Sequence, residues 1–171
     1  MLFRSLGAMA AERVFYGQNS GGVGGDLESA TTRAALMVGT AGMGPMPIDV
    51  TNLRMDDESE DDARKRVMKR FEQIGLTLMN RTRGSADFHG DPIASVLNDH
   101  AKREHAAALL GQAYATAENF IRANRAQVES IADTIIERRE LYGDELVALL
   151  DAQPFVKPEI DYADEASWPR I

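Results

Sequence analysis

Val67, Phe71, Ile74 and Leu78 follow one another at steps of four, three and four residues, so an α-helix carries all four on one side. Such a stripe has to be covered by another element, because most of the stability of an amphipathic helix comes from packing its apolar face. The acids of 56–62 precede it and Arg81 and Arg83 follow it, the charge order that a helix dipole favours. The basic residues Arg64, Lys65, Arg66, Lys69 and Arg70 read as a solvated face paired with the acidic run. Gly75 weakens this helix without abolishing it.

The same spacing returns along the chain. Leu6, Met9, Ala10, Val14 and Phe15 define a helix over 5–16 that Gly17 ends, and Leu27, Ala30, Ala34, Met37 and Val38 define a second that Gly39 and Gly42 stop. Asp91-Pro92 opens a long helix with aspartate as cap and proline at its first position. Its early stripe of Ile93, Val96 and Leu97 gives way to a rotated one of Leu109, Ala113, Tyr114, Ala117, Phe120 and Ile121, which predicts a bend near Gly111. Val128, Ile131, Ala132, Ile135 and Ile136 mark the next helix, and Asp144 caps a last one carrying Leu146, Val147, Leu149 and Leu150. The expectation is an all-α fold: a helical bundle of about six helices with one long bent helix and an extended C-terminal tail. Residues 1–152 form one unit. The tail, 153–171, contains three prolines and is ordered where Phe155, Tyr162 or Trp168 finds a groove.

A chain of 171 residues can bury one sizeable core. Its formal charge of −8 argues against nucleic acid and anionic membrane surfaces as partners. It has no cysteine, which excludes disulfides and thiolate metal sites. No apolar run approaches the roughly 20 residues that span a bilayer, and the N-terminus does not read as a signal peptide. A cytoplasmic location is expected, with membrane association only through an anchor upstream.

Between the first two helices lies Ser20-Gly21-Gly22-Val23-Gly24-Gly25-Asp26. Glycines allow a loop to bring its backbone close to another surface, and Asp26 stands where loop becomes helix, the usual place of an N-cap. A phosphate-binding loop is excluded: no Gly-Lys-Ser/Thr follows, no strand-like run precedes, and an anion would meet the Asp26 carboxylate.

Three groups of residues together resemble a known family. They are Gly7-x-x-Ala10-Ala11-Glu12-x-x-x-x-Gly17, the loop running into Asp26-Leu27-Glu28-x-Ala30-Thr31, and Gly42-Met43-Gly44-Pro45. The order is similar to that in the peptidase domain of the FtsH-type AAA zinc metalloproteases. Tyr114, Ala117, Asn124, Arg125, Leu141, Gly143, Glu145, Leu146, Leu149 and Leu150 extend the resemblance through the C-terminal half, where they are packing and capping residues. The resemblance implies that Asp26 is the third zinc ligand, completing a pair of histidines from a His-Glu-x-x-His helix. It also implies a ring of six subunits and protein substrates for the complete enzyme. Residues 56–83 look like an insertion relative to that family. Gly21 and Gly25 stand where the family usually has Thr and Asn.

This chain has no His-Glu-x-x-His and no Walker motif. His100 and His105 are five residues apart and diverge by about 140° on a helix, so they do not form a metal pair. His100 is expected to be half-buried beside the Ile93, Val96, Leu97 stripe, and His89 lies in a loop. No catalytic or cofactor-binding residue is assigned. Hydrolysis at zinc needs three protein ligands, an open position for water and a general base, and this chain offers Asp26 at most. No zinc is therefore expected on the chain alone, which reads either as the C-terminal part of a larger protease or as a degenerate, noncatalytic interaction module.

Overall fold

The computed structural model describes residues 2–82 and 96–171. The protein is all-α, with no strand among the described residues. Its helices are α1 (Leu2–Tyr16), α2 (Gly24–Gly39), α3 (Glu60–Thr82), α4 (His100–Ala123), α5 (Arg125–Arg138) and α6 (Gly143–Asp151). Short 3₁₀ turns sit at Gly21–Val23, Thr51–Leu53 and Glu165–Ser167, and residues 96–98 form a further helical turn. None of the described helices is long and apolar enough to cross a membrane.

α4 is the centre of the body, packed on α3, α1 and α2. The α3 stripe behaves as its spacing requires: Val67, Phe71, Ile74 and Leu78 are all buried. Opposite them stand Leu110 and Tyr114 of α4, and α1 and α2 close the core with Leu6, Met9, Leu27 and Ala30. The basic side of α3 faces water. Arg64 pairs with Asp61 at 3.8 Å, Lys65 with Asp62 at 3.9 Å, and Arg66 makes a two-pronged contact with Glu58. These exposed pairs orient the helix start more than they stabilise it.

α3 and α4 meet through their glycines. A Cβ on Gly75 would lie 1.8 Å from the Ala107 carbonyl oxygen, and one on Gly111 would lie 2.0 Å from the Phe71 carbonyl oxygen. The backbones touch at this crossing. At Gly111 α4 continues without interruption, and the glycine's place is explained by this close approach. The interruption comes earlier, at Asp99, whose carboxylate caps α4 by accepting from the Lys102 N–H at 3.1 Å. The expected opening at Asp91-Pro92 lies outside the described residues.

α5 meets the body at α4, α6 packs closely on none of the described helices, and neither helix fully buries a side chain. The Val128–Ile136 stripe is partly covered: Val128 and Ile131 are half-buried, while Ile136 is 74 % exposed. Asp144 is not the cap of α6. Tyr142 precedes the helix, and the Glu145 carboxylate reaches back to accept its N–H at 3.3 Å. Asn124 joins α4 to α5. Fully buried, it donates to the Phe120 and Val156 carbonyls and accepts the Val156 N–H at 2.7 Å. After Val156 the chain returns to the body, where Trp168 enters the main core at 4 % exposure.

Candidate functional site

Gly17, at φ +72°, ends α1, a left-handed position that glycine takes without strain. The loop that follows is tied back onto α1. The Glu12 carboxylate accepts both the Ser20 N–H and the Ser20 hydroxyl at 2.7 Å, and Asn19 donates to the Met9 carbonyl at 2.8 Å. The Ser20 hydroxyl, and then its N–H, hold the Glu12 carboxyl below the ordinary glutamate range. Ser20 Oγ in turn accepts the Gly22 N–H at 3.3 Å, starting the 3₁₀ turn that runs into α2.

This turn runs directly into α2, which starts two residues earlier than the sequence suggested, and none of Gly21, Gly22, Gly24 and Gly25 takes a positive φ. Val23 is the residue at the cap position, without a side-chain bond, and Asp26 lies inside the first turn. The N-cap reading of Asp26 is therefore corrected, because a 3₁₀ turn already leads the backbone into helix before residue 26. The carboxylate still sits at the positive end of the helix. It is exposed and makes no hydrogen bond or ion pair with the described residues.

His100 and His105 do not join it in a metal site. His100 is exposed, not half-buried: it is the first residue of α4, before the buried stripe takes hold, and its Nδ1 lies 3.2 Å from the Glu104 carboxylate. The His105 Nδ1 is 2.8 Å from the Ala101 carbonyl. His89 lies outside the described residues. Among the described residues no three His, Asp or Glu side chains gather as metal ligands.

A titratable group that the sequence reading passed over is Glu118, 2 % exposed on α4. Its position was legible, since it falls one turn after Tyr114 and beside Ala117 on the apolar stripe, but its charge argued against burial. Arg122 Nη2 donates to its Oε1 at 2.5 Å. Burial pushes the carboxyl above its ordinary value of 4.5, while Arg122, the Tyr114 hydroxyl and Arg13 pull it back. Between 4.5 and the raised value the folded chain holds a proton that the unfolded chain has released. This group's contribution to stability therefore falls as pH rises through that window. Glu118→Gln is expected to remove that decline: urea midpoints across the acid-to-neutral range should show the variant gaining on the parent as pH rises. A constant difference at all pH values would mean that the carboxylate is not desolvated.

Comparison with known proteins returns relatives of one kind. The chain is 27 % identical over 150 residues to the chloroplastic ATP-dependent zinc metalloprotease FTSH 6 of Arabidopsis thaliana, covering 85 % of this chain and 18 % of that protein. It is 29 % identical over 167 residues to the chloroplastic FTSH 8 of the same plant, covering 95 % and 20 % respectively. With the ATP-dependent zinc metalloprotease FtsH 1 of Thermomicrobium roseum the figures are 26 % over 159 residues, 91 % and 20 %. No protein-family model matches, and no solved structure matches. The likeness is that of an FtsH-related region, and the chain spans about a fifth of the length of the curated relatives it matches.

Proposed function

We propose that this chain is the C-terminal helical part of an FtsH-like ATP-dependent zinc metalloendopeptidase. In this reading it supplies Asp26 as the third zinc ligand, together with oligomer contacts, and is inactive alone. The observation that carries the reading is the state of Asp26: an exposed carboxylate on the first turn of a helix whose loop is fixed to α1 through Glu12 and Ser20. A ligand position built on a rigid element holds its geometry better than one on a free loop. Three-ligand zinc activates water for hydrolysis, and this chain's part is to hold one carboxylate oxygen where such an ion would sit. Protein substrates, a ring of six and a cytoplasmic setting follow from the same reading of the complete enzyme.

A chimera tests it. The matching region of Thermomicrobium roseum FtsH 1 is replaced by this chain, and ATP-dependent casein cleavage is measured. Cleavage should persist in the chimera and be lost in its Asp26→Asn variant, while Asp26→Asn in the isolated chain lowers the urea midpoint only slightly, since an exposed carboxylate in a first turn contributes about 0.3–1 kcal/mol through the helix dipole. A folded chimera whose Asp26→Asn variant cleaves equally well removes Asp26 from the zinc site. A folded chimera without cleavage favours the second reading, a noncatalytic interaction module, which the exposed apolar residues of α5 and α6 support.

A further inference from the structure

We draw no further inference here: the strongest candidate, the exposed apolar surface of α5 and α6 at Ile135, Ile136, Leu146, Val147 and Leu150, carries nothing, because nothing in the structure shows what covers it.

Discussion

Gly75→Ala is expected to lower the stability of this protein by about 3 kcal/mol, at the upper end of the usual cost of overpacking. The added Cβ would lie 1.8 Å from a backbone oxygen of α4, and a backbone atom has no rotamer by which to move aside. α3 and α4 must separate along the crossing, and the contacts of Phe71 and Leu110 loosen with them. The roughly 1 kcal/mol that alanine gains over glycine in helix propensity offsets only part of this. For a domain of this size the thermal midpoint should drop by roughly 6–12 °C. Gly111→Ala strains the same crossing from the other helix, so the double variant should lose less than the sum of the two. Urea unfolding of all three checks the expectation, and a Gly75→Ala variant as stable as the parent would mean that the two helices lie further apart than described.

Phe71→Ala should cost about 4 kcal/mol, within the range for removing a buried aromatic ring. Its ring is fully buried and lies edge-on to Tyr162, with centres 5.3 Å apart, and tilted against Trp168. The variant therefore loses two aromatic pairings as well as its area. It also uncovers one face of the indole, which gives an optical signature: emission from Trp168, the single tryptophan, should shift to the red before the helices melt. Unfolding indistinguishable from the parent would make α3 an appendage of the fold.

How far the sequence could be read depended on the kind of question asked of it. Spacing identified α1, α2, α3 and the late stripe of α4, because an apolar face that is covered leaves a roughly 3.6-residue period whatever covers it. The same logic found α5, whose face is only partly covered. The Val128–Ile136 stripe says that a face requires a partner, and it is silent on whether the partner is in the same chain. Gly75 was read by propensity as a weak point and Gly111 was placed at a bend from the rotation of two stripes; the close approach that both permit becomes visible only when the two helices are placed together. At the candidate site, the resemblance pointed to Asp26 and the structure moved it from cap to first turn. The Glu12–Ser20 clasp that steadies its loop joins two residues eight positions apart, and a periodicity reading does not connect them. His100 was placed by its neighbours on a helix assumed to be continuous. The break at Asp99 moved it to a helix start and into water.

Trp168 closes over Phe71 from about a hundred residues further along the chain. A ribosome makes about 5–20 residues per second, so the newborn groove waits roughly 5–20 s for its cover. Throughout that interval α3 carries an open aromatic surface of the sort to which chaperones and neighbouring nascent chains adhere. A chain without Trp168 keeps this surface open for the life of the molecule. The segment around Trp168 thus acts as a late cover: until it is made, the aromatic face of α3 stays open, and once made it is hidden.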